Sequence, residues 1–88
     1  MENKILIKFI IPELDTSFDI FIPVNELIWK VKALALKSIS DLTGVKLGNA
    51  IDYSFINKDS SKIYGNNEIV IDTDIRNSSE IILLHIKK

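Results

Sequence analysis

The spacing of apolar residues along this chain changes several times, and each change marks an element. Residues 4–11 alternate: Ile5, Ile7 and Phe9 share one face, and Lys4, Leu6, Lys8 and Ile10 share the other. That two-residue period predicts a strand. Pro12 blocks its continuation, and Pro12 to Ser17 form a polar turn with Asp15 and Ser17 as turn formers. Phe18, Ile20 and Ile22 then set up a second alternating face, opposite Ser17, Asp19 and Phe21, and Pro23 closes that strand. The period then becomes helical. Val24, Ile28, Val31, Ala35, Ile39 and Leu42 cluster on one side, flanked by Leu27 and Ser38. The pattern predicts a helix from about Asn25 to Leu42. Asn25 serves as its N-cap, Glu26 suits the positive end of the dipole, and Gly44 stops it.

Beyond a loop at Gly44 to Asn49 the strand period returns. Tyr53 and Phe55 face inward on a third strand, and Asn57 to Lys62 form a polar hairpin. Ile63 and Tyr64 make a short fourth strand, followed by a turn at Gly65-Asn66-Asn67. Val70 and Ile75 plug the core from an irregular segment. In the last strand, Glu80 to Ile86, Ile81, Leu83 and His85 alternate with Ile82, Leu84 and Ile86.

Composition narrows the class of protein. The 88 residues are expected to form a single domain over 1–88 around one core. With 47% hydrophobic residues disorder is excluded on compositional grounds. The net charge of −1 comes from interspersed acids and bases, so no basic face is expected and nucleic acid is not an expected partner. With no cysteine there is neither a disulfide framework nor thiolate chemistry. Met1-Glu2-Asn3-Lys4 runs straight into the strand pattern without a cleavage site, so no signal peptide is expected. No apolar run approaches the ~18–20 residues of a membrane span. Cytoplasmic localisation without membrane insertion is the expectation.

The order ββαββ, with the last strand returning beside the first, is the α+β β-grasp layout of ubiquitin. Within it, Phe55-Ile56-Asn57-Lys58-Asp59, Ile63-Tyr64, Val70, Asp72, Ile75 and Ser79-Glu80-Ile81-Ile82-Leu83 resemble the ubiquitin-like YukD family. The resemblance runs from Ile5 to Ile86. Members of that family are encoded with type VII secretion systems of Gram-positive bacteria. The resemblance implies a cytosolic, non-enzymatic accessory or regulatory protein. Its partner would be a ubiquitin-like domain of the membrane component of the machine, or a second copy in a weak homodimer. The hairpin at Asp59 to Lys62 is slightly longer than is usual in the family. His85-Ile86-Lys87-Lys88 lacks the Gly-Gly of conjugating ubiquitins, as in that family, so no conjugation through it is expected. The alternative is a stand-alone ubiquitin-like adaptor unrelated to secretion.

Polar residues offer little chemistry. His85 is the only histidine, with no evident nucleophile or acid to make it catalytic. It reads as a partly buried residue at a strand end. Asp72-Thr73-Asp74 lacks the glycine and distal Glu of a calcium loop, and turn capping by Asp72 or Asp74 is the simpler reading. Glu13 and Asp15 read as solvated turn residues, and isolated glycines make no phosphate cradle. No catalytic residue, metal site or cofactor is expected.

The informative residues are apolar ones with outward parity. Leu6, Ile10 and Phe21 in the first hairpin and Ile82 and Leu84 in the last strand point away from the helix if Ile7, Ile20 and Leu83 point toward it. Ile56 sits beside them. Because the first and last strands are neighbours, Leu6, Ile82 and Leu84 are expected to form one patch with Phe21 near its edge, and such patches mark interfaces. The competing reading breaks the patch with Lys8, Ser54 and lysine stems. Trp29 and Leu36, seven residues apart, share an outer stripe of the helix with Ala33 and form a second candidate surface. The competing reading rotates the helix and tucks Trp29 under the loop at Gly44 to Asn49.

Overall fold

The computed structural model describes residues 3–86. Residues 1–2 and 87–88 lie outside it, including the Lys87-Lys88 end that bears on conjugation. Five strands form one mixed sheet: β1 (Lys4–Ile11), β2 (Thr16–Pro23), β3 (Tyr53–Asn57), β4 (Ile63–Tyr64) and β5 (Glu80–His85). One helix, α1 (Ile28–Thr43), follows β2. The spatial order is β2-β1-β5-β3-β4. β1 pairs antiparallel with β2 and parallel with β5, while β5 and β4 flank β3 antiparallel. The expected return of the last strand beside the first is therefore present, and the architecture is an α+β β-grasp.

One side of the sheet is covered. Ile7, Phe9, Ile11, Ile22, Tyr53, Phe55, Tyr64, Ile81 and Leu83 pack with Ile28, Val31, Ala35 and Ile39 of α1 in a single buried cluster. Aromatic edges order its middle, with Phe55 meeting Phe9 and Tyr64 edge-on at 6.0 Å. Val70 and Ile75 close the cluster from the irregular segment before β5, as expected.

The helix departs from expectation at its start. Asn25 does not cap it; the N-cap is Leu27, without a side-chain hydrogen bond. Residues 24–27 are engaged elsewhere: Val70 and Ile71 donate their backbone N–H to the carbonyls of Glu26 and Val24, and Leu27 bridges Ile69. The free N–H groups of the first turn find tertiary acceptors, Ile28 N donating to Glu68 O and Trp29 N to Asn66 O. Backbone carbonyls thus replace the side-chain cap. At the other end Gly44 takes φ 74° and donates to Ser40 O, as its position implied. Leu42 is 71% exposed, because the buried stripe of α1 ends at Ile39.

Candidate functional site

The uncovered face of the sheet is organised in cross-strand rows. Ile10 of β1 is level with Ile82 of β5, Ile82 with Ile56 of β3, and Ile56 with Ile63 of β4. Four isoleucines therefore cross four adjacent strands on the side away from α1. Ile63 is 64% exposed, and Ile10, Ile82 and Ile56 are half-buried. Leu84 stands two residues beyond Ile82 on the same strand, opposite Ser54, and extends the row. Beside Ile10 lies a shallow depression bordered by Lys8, Pro12, Thr16, Lys58 and Glu80. Period-two alternation places these side chains together: their strand neighbours Phe9, Ile11, Ile81, Phe55 and Tyr64 are the core residues.

A charged row bounds the isoleucines on one side. Asp19 pairs with Lys8, Lys8 with Glu80, and the Lys58 ammonium lies 3.2 Å from the Glu80 carboxylate. Beyond it lie Leu6 and Phe21, which face each other across β1 and β2. The expected patch of Leu6, Ile82 and Leu84 is thereby corrected. The parallel register Lys8↔Glu80 puts Leu6 level with Ser78, six positions from Leu84. At ~3.3 Å per residue these two side chains are about 20 Å apart along the strands. Sequence shows that two strands are neighbours but not how far one is slid along the other. Phe21, 62% exposed, belongs with Leu6 and not with the isoleucine row. Ile56, Ile82 and Leu84 do come together. Ile10 has the outward parity read from sequence and joins them. Ile63 was missed, although the inward position of Tyr64 implied that its neighbour pointed out.

Trp29 and Leu36 separate. Trp29 is 41% exposed, with the Lys30 ammonium 5.6 Å from its ring centroid. Leu36 is 4% exposed, which removes it as a surface residue. The segment of Leu47, Gly48 and Ala50 folds against that flank of α1. It covers the stripe at Leu36, while at the Trp29 end the helix backbone bonds to the turn at Asn66 and Glu68. Lys32, one turn before Leu36, is buried too. Its ammonium donates to Tyr53 O at 2.9 Å, and burial pulls its pKa below the ordinary lysine value.

Two buried tyrosines gather most of the remaining polar chemistry. The Tyr53 hydroxyl donates to Glu13 at 2.5 Å and accepts the Gly48 N–H. Burial first, then the Glu13 hydrogen bond, pushes the phenol up to about 12. Glu13 is therefore an anchor and not merely a solvated turn residue. The His85 ring meets Tyr53 edge-on at 5.0 Å, and its Nδ1 is buried with no hydrogen-bond partner among the described residues. The Tyr64 hydroxyl donates to Asp74 and accepts from the Asn57 amide. Burial foremost raises the Tyr64 phenol, and that bond foremost lowers the Asp74 carboxyl. The turn read as capped by aspartates is instead tied by Thr73, which donates to Val70 O and accepts from Ile75 N. Among the described residues no group of three or more His, Asp or Glu side chains could hold a metal ion, and no helix is long and apolar enough to cross a membrane.

No family model matches the chain, and no curated protein matches it. Solved structures do. The N-terminal ubiquitin-like domain of the 4931431F19Rik protein superposes with a TM-score of 0.73 at 18% identity, covering 100% of this chain and 80% of that one. The ubiquitin-like domain of Plasmodium falciparum Dsk2 gives 0.70 at 14% identity, covering 94% and 99%. A chain of the toluene 4-monooxygenase HD complex with the inhibitor 4-bromobenzoate gives 0.76 at 5% identity, covering 94% and 99%. The fold is ubiquitin-like. At these identities the likeness establishes architecture and no activity.

Proposed function

We propose that this protein is a non-enzymatic interaction module that docks other proteins through the uncovered face of its sheet. The observation that carries this reading is the row Ile10–Ile82–Ile56–Ile63 across four strands, bordered by the charged row Asp19–Lys8–Glu80–Lys58. An apolar centre with a charged rim is the anatomy of a protein interface. The likeness to ubiquitin-like domains supports the class of function. The resemblance of the 55–83 tract to the YukD family supports a finer assignment: a cytoplasmic accessory or regulatory component of type VII secretion. Its partner is then a ubiquitin-like domain of the membrane component, with weak self-association through the same face.

Ile10→Asp combined with Ile82→Lys tests both levels. The double variant is expected to fold, to lose binding to the purified ubiquitin-like domain of the secretion membrane component, and to fail to support export in the strain that encodes the protein. A folded double variant that binds and exports at the parental level would refute the sheet-face reading. A chain whose deletion leaves export untouched, but which still captures protein partners through this face, would favour the stand-alone adaptor.

A further inference from the structure

A second surface lies at the opposite end of β1, away from the isoleucine row. β5 pairs with β1 only from Lys8↔Glu80 onward, so the first residues of β1 have no β5 strand beside them. The segment before β5 meets this stretch with one side chain and one backbone group. Asn77 Oδ1 accepts the Leu6 N–H at 2.8 Å, standing in for a rung of the ladder, and Ser78 N donates to Leu6 O at 2.7 Å. The gap leaves a depression of about 540 Å³, within the range of small-ligand and side-chain pockets. Ile5, Val24, Ile71 and Ile75 make its apolar floor, and Arg76 and Asn77 stand at its rim.

The polar groups at the rim all offer donors. Arg76 Nη1 donates to the carbonyls of Thr73 and Ile75 at 2.9 and 3.0 Å. Those bonds fix the guanidinium and leave its Nε–Nη2 edge without a partner among the described residues. That edge is one of the two that grip a carboxylate bidentately. With its oxygen held by Leu6 N, the Asn77 amide keeps its NH₂ donors without a partner among the described residues. Lys4 also lines the depression, and among the described residues no carboxylate does. Asp74 lies within electrostatic reach of Arg76, but its carboxylate accepts the Tyr64 hydroxyl and forms no ion pair with Arg76 among the described residues.

We infer that this depression binds an acidic peptide segment: branched apolar side chains seat on Ile5, Val24, Ile71 and Ile75, and an adjacent carboxylate takes the free edge of Arg76. The site is distinct from the sheet face and does not depend on it.

The test titrates ¹⁵N-labelled protein with a blocked peptide of two leucines flanked on each side by two aspartates. Saturable amide shifts are expected at Ile5, Val24, Ile71 and Asn77. Arg76→Glu is expected to raise Kd at least about ten-fold, and Ile71→Ser, at an exposed floor position, to weaken binding several-fold. The matched peptide with asparagine for aspartate is expected not to bind, and added salt to weaken the acidic one. Shifts confined to Ile10, Ile56 and Ile82, no saturable shift, or equal binding of the neutral peptide would each overturn the inference. If Arg76→Glu disturbs the loop, Ile71→Ser and the peptide charge series decide the matter.

Discussion

Ile10 of β1 sits level with Ile82 of β5 in the parallel pair that closes this fold. The pair unites the two halves of the chain on the solvent side of the sheet while their strand neighbours Phe9 and Ile81 are buried on the other. A one-residue slip of β5 against β1 would exchange the two faces. The register that builds the core therefore also builds the candidate docking row.

The charged row makes this surface divisible by mutation. Ile63→Lys, at the exposed end of the isoleucine row, is expected to weaken partner binding as a substitution at Ile82 does. Leu6→Glu with Phe21→Glu, beyond the charged row, is expected to leave binding intact. Ile63→Lys should melt close to the parent, since substitutions at exposed sites usually stay within about 0.5 kcal/mol. The Leu6/Phe21 double variant should lose more, because Leu6 is half-buried and the two carboxylates would face each other across β1 and β2. Equal loss of binding in both, measured by titration calorimetry, would mean the interface spans the charged row.

Asn57 is expected to be more costly than its place in a polar hairpin implies. It is buried, accepts the N–H groups of Asp59 and Ser60 through Oδ1, and donates to the Tyr64 hydroxyl. Asn57→Ala strands these partners and should cost about 1–3 kcal/mol in urea unfolding. The loss should be greater than for Ser60→Ala.

Lys32 predicts a pH dependence with a definite sign. Its folded pKa lies below the ordinary 10.5, so its burial penalty is fully present at neutral pH. That penalty is relieved as pH rises from the folded value toward 10.5, where the unfolded state holds the extra proton. Lys32→Met should lie within about 1 kcal/mol of the parent at pH 7, relief of the desolvated charge offsetting the lost bond to Tyr53 O. With rising pH the parent should gain on the variant. Urea curves that stay parallel across the alkaline range would contradict this.

The tyrosines act in the opposite sense. Tyr53 is pushed up to about 12, and Tyr64 is raised as well. A raised folded pKa stabilises in full below the ordinary 10.0 and loses that contribution as pH climbs through the folded value. Phenolate absorbance is expected to lag that of free tyrosine and to rise together with loss of the fold. Tyr53→Phe should remove one of the late-titrating groups. Phenolate absorbance that developed near pH 10 with circular dichroism unchanged would show that the phenols are not held as described.

Much of the fold was legible because its signals are local. The alternation of Ile5, Ile7 and Phe9, the stripe of Ile28, Val31, Ala35 and Ile39, and the stop at Gly44 each depend on a few neighbouring residues, and each stands where expected. The plugs Val70 and Ile75 were legible as apolar residues stranded in polar sequence. Asn25 misled because a good capping residue competes with backbone carbonyls about forty positions further along the chain, those of Asn66 and Glu68. Leu36 misled because helical spacing places it beside Trp29, whereas burial depends on which loop folds against that flank.

Residue spacing was enough to read the order of the elements and which face of each strand is apolar, since backbone geometry converts spacing directly into direction. The offset of β1 against β5, and with it the company each outward side chain keeps, was set by packing between distant parts of the chain. That offset moved Leu6 away from Leu84 and brought Ile10 to Ile82. Parallel pairing allows registers two residues apart with every side chain on the same face, so parity cannot distinguish them. Closure of the whole core selects one.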